Sequence, residues 1–348
     1  MIKNNQTQKI GDNSTSLQVG GDMYVTHGIS YFEAKEIALD VFKTNFYQLS
    51  EDAASVAKQR AEEITDKFLN ELNERLPNSI NQMNNPDMQY ALFTAQREYA
   101  RTGDNDLLEI LVNILVDRAS IDNRSLLQIV LNESLDVVTK LTNEQLDILS
   151  LVFLLRYTRR LHFKNIDDFK SYLLNVIIPF MDVPKENSYY QHLEYTGCGS
   201  ISVLDNKIEE TFRQNYQGIF SKGFSREECE NLVNGEVLSS TILIPCFHNK
   251  ELVQVKSLND EQLEEICLEA GASEELIQKM KDLQNSRIMN EGEIKDFVTS
   301  LDPKIKQLFD LWYDSSLNRM TLTSVGIAIA HANLQRKIND KYDLSIWI

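Results

Sequence analysis

Cys246-Phe247-His248 sets a thiol and an imidazole two residues apart, the pairing a nucleophile and its general base require. That chemistry works only if the fold turns both side chains to one side. A buried cysteine beside a loop histidine is the simpler expectation, and an enzyme site near Cys246 and His248 stands as the alternative. Gly197-Cys198-Gly199-Ser200 offers a second thiol on a tight turn. Its backbone N–H groups would suit a phosphate, but no strand pattern precedes it and no Lys-Ser/Thr follows. His27, His162, His192, His248 and His331 show no HExxH or HxH spacing, and Cys198, Cys229, Cys246 and Cys267 no C-x-x-C. Four reduced thiols are expected, with no catalytic residue, metal ligand or cofactor assigned.

Charged clusters read as structural. Glu62-Glu63, Asp167-Asp168, Glu209-Glu210, Glu264-Glu265 and Glu274-Glu275 do carboxylate chemistry only when placed across a cleft, and on helix surfaces they are solvated faces. Arg156, Arg159, Arg160 and Lys164 form the best basic patch, but cations at a helix end complement its dipole. With 35 Lys and Arg against 52 Asp and Glu, the net charge of -17 repels nucleic-acid phosphates and anionic membranes. No nucleic-acid or membrane partner is expected. No positively charged leader with an apolar core opens the chain, and no apolar run approaches the ~20 residues that cross a bilayer, so a cytoplasmic location is expected.

The elements that must position these residues are helices. The 13 Gly and 6 Pro in 348 residues are too few for an all-β sandwich, and the fold class expected is mainly α, a multi-helix body with a short N-terminal β hairpin or strand segment. Ser30-Tyr31-Phe32-Glu33 is a capping box that starts a helix carrying Phe32, Ile37, Val41 and Phe42. A second helix runs from about Glu51 to Leu76 through Ala57, Ile64, Phe68 and Leu72. Asn85-Pro86-Asp87 starts another, which Gly103 terminates. Leu107 to Leu115, and Leu146 to Leu155 after the capping box Thr142-Asn143-Glu144-Gln145, are apolar on more than one face, as central helices are.

Four segments are expected: 1–29 β-type, 30–182 helical, 183–256 a mixed connector, and 257–348 helical with an extended tail. In the connector, Ser225-Arg226-Glu227-Glu228 is a capping box and Thr241 to Pro245 a short strand or buried connection. Short helices then follow at about 260–270, 273–285, 291–300, 303–317 and 322–338. In the last of these, Val325, Ala328, Ile329 and Ala332 allow close helix approach, with His331 a satisfied interior residue. Alternating Leu344, Ile346 and Ile348 read as an extended tail.

The segment before Ser30 differs in kind. Leu17, Val19, Met23 and Val25 fall on odd positions while Gln18, Asp22 and Tyr24 fall on even ones, the period of two of a half-buried strand. Gly20 and Gly21 supply a bulge or close backbone approach. Lys3 and Lys9 offset Asp12 and Asp22, so copies of this segment stack with little of the repulsion that the whole chain carries. A two-stranded hairpin is marginal alone and needs a partner. That partner is the chain's own helical body or another subunit; self-association is the expectation, with Ile10, Leu17, Gln18, Val19, Gly20, Gly21, Met23 and Val25 as the oligomerisation residues and a further protein as a second class of partner.

Leu17-Gln18-Val19-Gly20 resembles the core tetrad of the RIP homotypic interaction motif and of related bacterial amyloid-signalling motifs, in which such units stack in register. Asp12 and Asp22 would stack as like-charge ladders, favouring a closed assembly over a fibre. The longer frame, with Gly11-Asp12, Gln18-Val19-Gly20-Gly21-Asp22, Gly28-Ile29-Ser30, Leu322 to Gly326 and Leu344 to Ile348, is similar to a bacterial protein family with no assigned reaction. The resemblance implies an interaction or scaffold role in bacterial stress or anti-phage defence.

Overall fold

The computed structural model describes residues 29–45, 51–233, 242–339 and 342–348. The oligomerisation residues expected between Ile10 and Val25 lie outside the described residues. The body is mainly helical. α1 (Tyr31–Asn45) and α2 (Glu51–Arg75) lead through a 3-10 segment, Pro77–Asn84, into α3 (Pro86–Thr102), α4 (Asn105–Ala119), α5 (Leu126–Val138) and α6 (Asn143–Arg156).

Local chemistry sets these boundaries. The Ser30 N–H donates to Glu33 Oε2 at 2.8 Å and the Glu33 N–H to Ser30 Oγ at 3.3 Å, closing the box that starts α1. Asn85 caps α3 through the Asp87 N–H, and Gly103 ends it at φ 65, a left-handed position that glycine adopts freely. Thr142 and Gln145 cap α6 reciprocally. On α1 the buried face is Ala34, Ala38 and Phe42, while Phe32 is 66% exposed. Of the apolar residues read at helical spacing, Phe42 is buried and Phe32 is not: alanines at i, i+4 let α2 and α3 approach closely, and the large ring is left outside.

α7 (Ile166–Tyr172) continues as a π-turn, Leu173–Ile177, and a 3-10 turn at Pro179. α8 (Asn187–Tyr195) precedes β1 (Gly199–Ile201), and α9 (Ile208–Asn215) and α10 (Arg226–Val233) follow. β2 (Leu243–Pro245) pairs antiparallel with β3 (Val253–Val255), so the connector at Thr241 to Pro245 is a strand from Leu243. α11 (Asp260–Glu269), α12 (Glu274–Ser286), α13 (Glu291–Leu301) and α14 (Pro303–Asp314) lead to β4 (Met320–Leu322), which pairs antiparallel with β1, and to α15 (Ser324–Ile338).

α15 is buried from Gly326 to Gln335 and packs between α4, α5 and α6. The main core therefore runs from Ala34 to Leu344, across the segments 30–182 and 257–348. A second, smaller core gathers Phe224, Cys229, Val253, Val255, Leu263, Cys267 and Met280 from α10, the β2–β3 pair, α11 and α12. The C-terminal tail is not extended: Leu344–Ile346 is a 3-10 turn that buries Leu344 and exposes Ile346. Trp347 holds it down, its Nε1 donating to Tyr157 O at 2.9 Å and its ring meeting Phe153 edge-on at 5.0 Å.

Two substitutions probe this packing. A Cβ at Gly326 would sit 1.9 Å from Cys198 O, so Gly326→Ala is expected to cost about 2–3 kcal/mol in urea unfolding, the upper part of the range for overpacking because the clash is with backbone. Arg118 is fully buried and ion-paired to half-exposed Asp87. Asp87→Ala leaves that guanidinium with only Asn132 and Ile121 O, an expected loss of about 3 kcal/mol, at the low end for a broken buried pair because water reaches Asp87. The Arg118 hydrogen bond holds the Asp87 carboxyl below its ordinary value of 3.8. The unfolded chain thus protonates first on acidification: the contribution is full above 3.8 and is lost as pH falls through the lower folded value. The stability gap between the wild type and Asp87→Asn, followed by urea melts, should narrow on acidification.

Candidate functional site

The fold does not join Cys246 and His248 into a dyad. Cys246 is buried beneath Gly223, its Sγ directed to Ser221 O at 3.4 Å. His248 Nε2 lies 2.7 Å from Ile219 O, and its ring packs edge-on against Phe297 at 4.8 Å. Each side chain is held by a different carbonyl of the 219–221 segment. Neither is left to serve the other.

Cys198 is equally occupied. It is fully buried where β1 meets the N-terminus of α15, its carbonyl accepting the Thr323 N–H at 3.0 Å. Thr323 Oγ1 donates to Gly197 O at 2.6 Å and caps α15 through the Gly326 N–H. The turn is thus bound by protein groups, and burial pushes the Cys198 thiol up to about 11. Burial also raises the thiols of Cys229 and Cys267. Nucleophilic cysteines need the opposite shift and some exposure.

The charged clusters divide. Arg156 donates to Met320 O, Arg159 pairs with Glu261, and Arg160 pairs with Asp168 at 3.6 Å and lies over the Phe163 ring at 5.4 Å. These three cations of the basic stretch tie the end of α6 to its surroundings. Glu209 is not a solvated residue: it is buried and accepts the Tyr313 hydroxyl, and burial and the carboxylate raise that phenol's pKa. Among the described residues no three His, Cys, Asp or Glu side chains gather as a metal site. No helix among them is long and apolar enough to cross a membrane.

One sizeable cleft among the described residues was not signalled by any motif. It opens between the 161–164 segment and the face made by β2, β3 and α11, with a volume of about 780 Å³, in the range of ligand and partner pockets. Phe163, Ile244, Phe247, Leu258 and Ile266 supply apolar lining, and His162, Lys164 and Lys256 are exposed around it with Glu269. Gln262 bridges the two sides, its Nε2 donating to Leu161 O at 2.8 Å and its Oε1 accepting the Leu258 N–H at 2.8 Å. Gln254, buried in the lining, donates to Gly218 O at 2.8 Å and accepts the Phe247 N–H at 3.0 Å. Its amide therefore fixes the wall. Among the described residues neither Lys164 nor Lys256 has a carboxylate within ion-pair distance. The cleft is thus an apolar-lined surface that carries two lysines and one carboxylate, Glu269, on an acidic chain.

Residues 28–348 match a protein-family model whose description is a bare "-like" designation. The chain belongs to that family. No curated protein and no solved structure matches the chain. The matched region begins two residues before the Ser30 cap of α1 and takes in both cores and the cleft.

The thiol geometry has a direct check. At about pH 7.5 the native protein is expected to take up iodoacetamide at none of its four cysteines, all buried and free, and in guanidinium at all four. Intact-mass spectrometry counts the adducts; rapid native labelling of Cys246 would contradict its packed position.

Proposed function

We propose that the chain is a cytoplasmic bacterial interaction protein whose helical body is brought into a small, closed homo-oligomer by the β-type segment before Ser30, and which serves as a scaffold in a stress or anti-phage defence system. The observation that carries this reading is a division of labour along the chain. The family match covers residues 28–348, a body with its own two cores, and leaves ahead of it the stretch with a period of two and near-neutral charge. The occupied state of Cys198, Cys246 and His248 favours binding over catalysis. The defence setting rests on the resemblance of the N-terminal frame.

Leu17, Val19, Met23 and Val25 are the residues this reading turns toward one another between copies, with Gly20 and Gly21 allowing close backbone approach. Deleting residues 1–27 and measuring mass by light scattering tests it. The expected outcome is a fall from a defined oligomer to a species near the mass of one chain, with helical circular dichroism retained. An unchanged oligomer would overturn the assembly role of the segment.

A further inference from the structure

We infer that the cleft receives the Val203-Leu204-Asp205 loop of a second copy of this chain, a contact that rests on the assembly reading above because that assembly raises the local concentration of bodies. Val203 is 94% and Leu204 80% exposed, consecutive aliphatic side chains outside any core. The loop that carries them is pinned at both ends: the Ser202 N–H donates to Arg319 O and the Asn206 N–H to Asn318 O, each at 2.8 Å. The Leu204 N–H donates to Ser202 Oγ at 3.1 Å. A loop so anchored presents its tip without a large ordering cost on binding. Tyr195, 87% exposed, stands beside the same strand, where Glu194 Oε1 accepts the Ile201 N–H at 3.0 Å.

Charge selects the occupant. Copies of a chain with net charge -17 repel one another unless an acidic surface meets a locally basic one. The loop carries Asp205 next to its aliphatic pair, 68% exposed at its side chain and reached by Arg319 at 3.9 Å. The cleft supplies Lys164 and Lys256, against the single lining carboxylate Glu269, around Phe163, Phe247 and Ile266. Apolar tip and apolar lining, acid and base, are complementary within one sequence.

Cysteine trapping tests the contact in the full-length chain, since its native thiols are buried. Leu204→Cys and Leu161→Cys variants, mixed in equal amounts and oxidised with copper phenanthroline, are expected to give a disulfide-linked heterodimer several-fold above a mixture of Leu204→Cys with Val56→Cys, a position exposed on α2. Adding Lys164→Glu and Lys256→Glu to the Leu161→Cys partner should reduce the trapped dimer several-fold, and pairing it with Asp205→Lys should restore part of it. A yield equal to the Val56→Cys control overturns the contact, as does a yield indifferent to charge reversal. Trapping that survives deletion of residues 1–27 while the oligomer mass is unchanged supports the contact and overturns only the N-terminal segment.

Discussion

The structure depends on a buried polar junction between α6 and α15. α6 is enclosed along nearly its whole length, so a carboxylate there must find partners inside the protein. Asp147 finds two on α15: Asn333 Nδ2 at 3.0 Å and Lys337 Nζ at 2.5 Å. Asn333 Nδ2 also donates to Ser150 Oγ at 2.9 Å, and its Oδ1 accepts from Arg336, which reaches Asp106 on α4. Burial raises the Asp147 carboxyl in spite of these partners, a sign of how dry the junction is. Apolar packing alone would tolerate α15 sliding by a turn. This set of partners fits one register only.

From that register the remaining contacts follow. α15 starts where Thr323 meets Gly197 and Cys198, so β4 lies beside β1. Arg156 and Tyr157, at the end of α6, receive the main chain of β4 through Met320 O and the Leu322 N–H. The residues just beyond form one wall of the cleft, and Arg159 and Gln262 fasten that wall to α11. The cleft is thereby a seam between the two cores, shaped by polar ties rather than by either core alone.

Much of the helical body was legible in the sequence because its signals are local. Capping boxes at Ser30, Thr142 and Ser225, the Asn85-Pro86 start and the Gly103 stop each act within a turn of their helix. What the sequence hid is long-range. The three-residue strand β4 is too short to show a period, and its partner β1 lies far earlier in the chain. Phe32 satisfies an amphipathic pattern yet lies outside, because small Ala34 and Ala38 decide which face can approach. The thiol and imidazole at 246 and 248 are close in sequence, and only the positions of Ser221 and Ile219 reveal that each is already engaged. The cleft combines the 161–164 segment with residues from 244 to 269, a juxtaposition without a one-dimensional trace.

The central place of α15 also bears on how the chain is made. Asp147 and Asn333 are 186 residues apart, so on a ribosome working at about 5–20 residues per second α6 waits roughly 10–40 s for the helix that completes its surroundings. During that interval α4, α5 and α6 present an apolar trough containing an unpaired carboxylate. A carboxylate without its partners on α15 is accommodated by water rather than by apolar packing, so this part of the core closes only when the last helix arrives.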